Sequence, residues 1–279
     1  VLKTHVVVDS SLKFIAVKDR AAAYRTLVSP AMAGGYEHLL ESDFPGQAQK
    51  AAEEAVAKCT AKVPISGDYD LILDPHNLAL TMHESVGHPT ELDRVLWYEW
   101  GMAGGSFASL DKKDNFQYGS PIVNFTANNN LLFGGASVGY DDEGVECQKW
   151  PILRDGVLVG YGTNRETAHA IGLERSNGTC RASHWSEAPI VRIPNLYLEP
   201  GRDALSLEQL IGDTKKGILL LGRDSFSIDQ MRYNFQFGAD MAYRVENGKV
   251  TEPLRDVIYQ SLSPDFWNAC DAICDESEW

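Results

Sequence analysis

Tyr69-Asp70-Leu71-Ile72-Leu73-Asp74-Pro75-His76-Asn77-Leu78-Ala79-Leu80-Thr81-Met82-His83-Glu84-Ser85-Val86-Gly87-His88-Pro89 is the stretch that organises the chain. Tyr69 to Leu73 is a short apolar run with the length and composition of a buried strand. Asp74-Pro75-His76-Asn77 reads as a turn, with Asn77 able to cap the helix that follows. That helix is expected from Leu78 to about Gly87, and Pro89 stops it because proline cannot donate the next backbone hydrogen bond. Its end carries His83-Glu84-x-x-x-His88.

Those three residue types suit one chemistry. Zinc accepts neutral imidazoles, and a carboxylate beside a ligand can take a proton from water and pass it to a leaving amine. The familiar H-E-x-x-H form sets its histidines four apart on one helical face. Here they are five apart, which at about 100° per residue separates them by roughly 140° on an ideal α-helix. One extra residue in the turn, a π-bulge, restores a shared face, and Gly87 makes such a distortion easy. His83 and His88 are therefore candidate zinc ligands, Glu84 the candidate general base, and a locally widened helix is the structural expectation.

Upstream, His5 to Val17 alternates and reads as a hairpin turning at Asp9-Ser10-Ser11. Gln47 to Lys62 has the spacing of an amphipathic helix after Phe44-Pro45-Gly46. Downstream of Gly101 the segments are short and β-rich. Asp155-Gly156 and Asn247-Gly248 sit between apolar runs and predict two tight hairpins. Phe226 to Phe237 reads as one strand with a polar face that could line a peptide cleft. Helices are expected over Asn164–Ile171, Ser206–Lys215 and Asp265–Cys274. The layout is α+β: an antiparallel, β-rich catalytic domain with a few helices, one carrying the metal motif. The expected division is a partial N-terminal α/β segment over 1–65, hairpin plus helix, and a catalytic domain over 66–279 that is truncated at its C-terminus.

A formal net charge of −14 argues against a nucleic-acid partner, because phosphates need lysine and arginine to neutralise them. No apolar run reaches the length of about 18 residues that a membrane helix needs. The five scattered cysteines, Cys59, Cys147, Cys180, Cys270 and Cys274, do not form a secreted disulfide framework, so a reducing cytoplasm is expected. His76 reads as a turn residue, His169 as a surface ion-pair residue after Glu166, and His184 as a loop residue. Cys270 and Cys274, four apart, could share a helical face. Cys274 is thus an in-chain candidate for a third ligand, and with Cys270 it could complete a closed structural zinc site.

His83 to Asp93, read through Pro89-Thr90-Glu91-Leu92, resembles the TldD/PmbA family of metalloproteases, in its TldD-like, motif-bearing branch. The resemblance continues through Ala103–Ser109, Gly139–Gly144, Ile190–Gly201 and Gly248-Lys249-Val250, so it runs from about residue 30 to the end. It implies a zinc peptidase acting on unfolded or extended peptides in a chamber formed by a dimer, either a homodimer or a TldD/PmbA-type heterodimer. His83 and His88 would hold the zinc and Glu84 would act as base. The resemblance also implies a third ligand, a cysteine in a Gly-rich stretch beyond Trp279. The alternative is a non-catalytic subunit, either a partner in such a heterodimer or a structural-zinc module.

Overall fold

The computed structural model describes residues 4–279. It is a mixed α+β structure dominated by antiparallel strands. One four-stranded sheet runs, in spatial order, through Lys249–Leu254, Met241–Glu246, Lys216–Leu221 and Asp70–Leu73. Only its last pair is parallel, Leu220 standing opposite Leu73. A second four-stranded sheet orders Leu196–Leu198, Phe125–Asn128, Lys149–Arg154 and Val157–Leu158, all antiparallel. A three-stranded sheet is formed by Phe226–Ile228, Asn234–Gly238 and Ile258–Leu262.

Both dipeptide turns form where the sequence places them. Asp155 and Gly156 have φ 46° and 75°, and Asn247 and Gly248 have 51° and 77°, the left-handed pairs that match the twist of a two-residue hairpin. Ser206 caps Leu207–Asp213 through a reciprocal pair with Gln209.

Elsewhere the structure differs from the sequence reading. The N-terminal hairpin pairs Ser11–Lys18 with Ala21–Val28 and turns at Asp19-Arg20, both with positive φ. Asp9-Ser10 instead leads away from Val7–Val8, which pairs with Met32–Ala33. The alanine-rich strand 21–28 carries no strong β signal of its own; pairing and the covering helix hold it extended. That helix spans Phe44–Lys58, three residues earlier than expected, because Asp43 caps it through the Gly46 N–H and Pro45 fits its first turn. Only a short 3₁₀ turn, Ala168–Ile171, forms within 164–171. Phe226–Phe237 is two strands joined by a turn rather than one, since Asp229 accepts from the N–H groups of Tyr233 and Asn234 and folds the chain back. The last α-helix is Ser263–Asn268, so Cys270 and Cys274 follow it in irregular chain and share no helical face.

Two apolar clusters frame the motif. One gathers Val86, Leu92, Tyr118, Phe125, Leu153 and Trp267. The other gathers Ile218, Leu220, Phe235, Phe237 and Leu254, with Leu80 against it. The motif helix is thus pinned on two sides, each fully buried aliphatic side chain contributing about 1.5–3 kcal/mol.

Candidate metal centre

The site is built by the helix that begins at Pro75. Asp74, not Asn77, is its cap: the Asp74 carboxylate accepts the Asn77 N–H at 2.7 Å. Asn77 lies inside the helix and is buried. Its amide donates to the Gly222 carbonyl at 2.8 Å and accepts from the Tyr259 hydroxyl at 2.8 Å. The sheet edge therefore fixes the helix start, and the motif follows two turns later.

The widened turn expected from the five-residue spacing is present. Pro75–Met82 is α-helical, His83–Gly87 is π-helical, and His88–Thr90 tightens into a 3₁₀ turn. The His88 N–H reaches the His83 carbonyl, closing the wider ring. This brings the two imidazoles together, with ring centroids 4.6 Å apart and planes nearly perpendicular.

Widening a turn ahead of a proline leaves carbonyls without partners, and each is met from elsewhere. The Ser85 carbonyl would look to residue 89, but Pro89 has no N–H; the Tyr118 hydroxyl donates to it instead. Thr90 Oγ1 donates to the Val86 and Gly87 carbonyls at 2.8 and 3.1 Å. Ser85 Oγ donates to the Thr81 carbonyl at 2.6 Å and accepts the Trp267 indole N–H at 2.8 Å. Gly87 is required by close approach: a Cβ there would stand 2.8 Å from Ile193 Cδ1.

One ligand atom from each of His83, Glu84 and His88 can be chosen so that all lie within 4.8 Å of one another. A tetrahedral zinc separates its ligand atoms by roughly 3.3 Å, so the two imidazoles would draw in slightly around one ion, with the carboxylate left alongside its water. His88 Nδ1 donates to Glu91 Oε2 at 2.8 Å, which leaves Nε2 for a metal. Burial, then the Arg94 guanidinium, pushes the His88 imidazole down to about 3. His83 is more exposed than His88; desolvation of its covered part, then the neighbouring His88 and Arg192, pushes it down to about 4. Both rings are therefore neutral near pH 7, the form a metal binds.

Charges behind the ligands are arranged in layers. Glu91 is 1% exposed, and burial raises its carboxyl to about 7 against the pull of Arg94 and Arg192. Arg94, equally buried, donates to Glu91 at 3.1 Å, to Glu99 at 3.3 Å and to the Ala103 carbonyl. Asp93 accepts the Val191 N–H at 2.8 Å and ties the site to the strand Ile190–Val191; burial and the nearby Glu99 and Glu91 raise its carboxyl. On the open side, Arg232 Nη1 lies 3.5 Å from Glu84 Oε2, an oxygen that has no hydrogen-bond partner among the described residues. Arg232 has φ 61° in the turn between Phe226–Ile228 and Asn234–Gly238. Gly104, with φ 85°, lets the backbone pass this turn, because a Cβ would meet the Gln230 carbonyl at 2.3 Å.

The structure thus gathers His83, Glu84 and His88. Among the described residues neither Cys270 nor Cys274 joins them. Cys270 packs on the apolar cluster around Trp267, and the Cys274 carbonyl accepts the Gly201 N–H at 2.8 Å. Sequence reasoning assigned no role to Glu91, Arg94, Arg192, Arg232, Tyr118 or Trp267. Glu91 was accessible to it, being three residues beyond His88; Arg232, Tyr118 and Trp267 carry no local signal.

Among the described residues no helix is long and apolar enough to cross a membrane. Residues 66–279 match the model of the PmbA/TldA metallopeptidase C-terminal domain. A metalloprotease of Methanothermobacter thermautotrophicus is 32% identical over 224 residues, covering 80% of this chain and 46% of that protein. A zinc metalloprotease TldD homolog of Saccharolobus solfataricus is 32% identical over 198 residues, covering 70% of this chain and 41% of that protein. The chain spans about half the length of these curated relatives. The fold is also that of TldE from Thermococcus kodakarensis, with a TM-score of 0.75 at 17% identity over 96% of this chain and 57% of that one. The chain belongs to the PmbA/TldA metallopeptidase family.

Proposed function

We propose that the protein containing this chain is a zinc-dependent peptidase that hydrolyses unfolded or extended peptides. The observation that carries this reading is the π-turn that sets His83 and His88 face to edge beside the Glu84 carboxylate. His83 and His88 would hold the ion, with a third protein ligand supplied from outside the described residues. Bound zinc supplies a Lewis acid that polarises the scissile carbonyl and makes water acidic near neutral pH. Glu84 takes the proton of the attacking water and returns it to the departing amine. Arg232, 3.5 Å from Glu84 Oε2, holds the carboxylate turned into the site. Glu91 fixes the His88 tautomer, so that the ring meets the ion through Nε2.

The remaining parts of this reading are a working unit that is a homodimer or a heterodimer with a TldE-like partner, a cytoplasmic location, and a division into a segment 1–65 and a catalytic domain 66–279. The test is the full-length Glu84→Gln variant. It should retain zinc at the parent stoichiometry and lose peptide cleavage by at least about a hundredfold, the scale of a lost general base. Cleavage at the parent rate with zinc at full occupancy would refute the assignment. A second reading, a non-catalytic zinc subunit, predicts bound zinc and no chelator-sensitive cleavage from the intact assembly.

A further inference from the structure

Beside the metal centre lies a cavity of about 310 Å³, at the small end of ligand pockets. His83, Glu84 and His88 do not line it, but two of its wall residues reach their neighbours. Ile193, on its wall, packs against Gly87. Arg192, also on its wall, has Nη1 4.0 Å from Glu91 Oε1, and Glu91 holds His88.

The wall carries a second arginine. Ile190 stands opposite Arg181 and Val191 opposite Cys180, so the register puts Arg181 and Arg192 on one face as diagonal neighbours. The Arg192 N–H donates to the Thr179 carbonyl at 3.0 Å, which continues that pairing. Two like charges so placed repel each other. Burial and then Arg192 push the Arg181 guanidinium below its ordinary range.

Neither cation is fully matched. Arg181 is solvent-exposed at the cavity wall; among the described residues no carboxylate lies within ion-pair distance of it, Glu91 and Asp142 act on it only from further off, and it donates a long hydrogen bond, 3.4 Å, to the Ile193 carbonyl. Arg192 is 4.0 and 3.8 Å from Glu91 and Glu99, beyond hydrogen-bond reach, and both carboxylates already serve Arg94. The acidic side chains on the same wall serve the backbone: Asp141 accepts the Cys180 N–H at 3.2 Å and Asp142 the Ala182 N–H at 2.9 Å. They hold the strand on both sides of Arg181, which fixes where its side chain leaves the backbone.

We propose that Arg181 and Arg192 form a carboxylate-binding subsite next to the metal centre, taking a negative group of the peptide close to the scissile bond. The group is the peptide's C-terminal carboxylate or an aspartate or glutamate side chain. Arginine forks match either bidentately. The subsite rests on the peptidase reading for its substrate, but its binding is measurable without turnover.

The experiment uses the full-length, zinc-loaded Glu84→Gln protein and fluorescent peptides of one backbone sequence in three forms: neutral and amidated, neutral with a free C-terminus, and amidated with one glutamate walked along the chain. Binding is read by anisotropy. One carboxylate form should bind about tenfold more tightly than the neutral amide, the scale of a charge-assisted contact. Which form it is identifies the source of the group. Adding Arg181→Gln should bring that ratio close to one, and Arg181→Lys should restore part of it. Equal affinity in all arms, or a preference that Arg181→Gln leaves intact, overturns the subsite. Cleavage by the parent protein is followed in parallel by mass spectrometry. Carboxylate-selective binding without cleavage would leave the subsite standing and sink the peptidase reading, whereas cleavage without carboxylate preference would do the reverse.

Discussion

Replacing Glu91 by Gln tests whether the layer behind the ligands tunes the metal. In the parent, Glu91 Oε2 accepts from His88 Nδ1 at 2.8 Å and from Arg94 Nε at 3.1 Å, with Glu91 and Arg94 both almost fully buried. A glutamine keeps the shape and one acceptor but loses the charge that makes His88 a stronger donor to the ion. Substitutions in this layer typically cost about 10–100-fold in metal affinity, or roughly 1.4–2.7 kcal/mol. The cost to folding should be smaller, about 1–2 kcal/mol, because Arg94 keeps Glu99 at 3.3 Å and so is not left an unpaired buried charge. Burial has already raised the Glu91 carboxyl to about 7, so its ionisation opposes the metal-free fold. The stability it contributes is full below the unfolded value and is lost as pH rises towards about 7. Glutamine removes that loss, so metal-free Glu91→Gln should gain on the parent in melting temperature between pH 5 and pH 7. Zinc competition against a chromogenic chelator gives the affinity, and scanning calorimetry of the metal-free proteins gives the pH trend. A zinc Kd within twofold of the parent would refute the role assigned to Glu91.

Gly87→Ala should cost about 1–3 kcal/mol in urea unfolding by driving a methyl into Ile193; the added change Ile193→Val, which deletes the 2.8 Å contact, should recover part of it, and a parent-like midpoint for Gly87→Ala alone would show that the contact is slack. Tyr118→Phe leaves the buried Ser85 carbonyl without its donor and should cost about 1–3 kcal/mol in the same measurement; an unchanged midpoint would mean that the π-turn does not depend on that bond. In metal-free protein, imidazole NMR should show His83 and His88 neutral down to about pH 4 and pH 3. Their contribution to stability is present above the unfolded value of about 6.5 and fades as pH falls towards those values. Titration of His88 near pH 6.5 would contradict its burial.

The motif was legible because it is local. His83, Glu84 and His88 sit within one turn, and their spacing alone demanded a distortion that the backbone shows. The Asp155-Gly156 and Asn247-Gly248 turns were legible for the same reason, since a positive φ at two successive residues has few sequence solutions. The strand Ala21–Val28 was not, because alanine favours helix in isolation and only pairing with Ser11–Lys18 decides otherwise. Asn77 looked like a cap but is a buried hinge to Tyr259, 182 residues away. Arg232 reaches Glu84 only because Asp229 breaks an apparently continuous strand into a hairpin.

The bonds to Ser85 also bear on the order in which the molecule assembles. Its hydroxyl and carbonyl are held by Trp267 and Tyr118, partners 182 and 33 positions along the chain, and the strand ahead of the helix pairs with Lys216–Leu221. Contacts of such long range form late, after their loop-closure entropy has been met by the rest of the core. The ligand geometry is therefore a product of the finished fold, in contrast to a zinc finger, where the ion itself drives folding. Docking of the helix Ser263–Asn268 is thus a condition for the turn that sets His83 and His88 side by side.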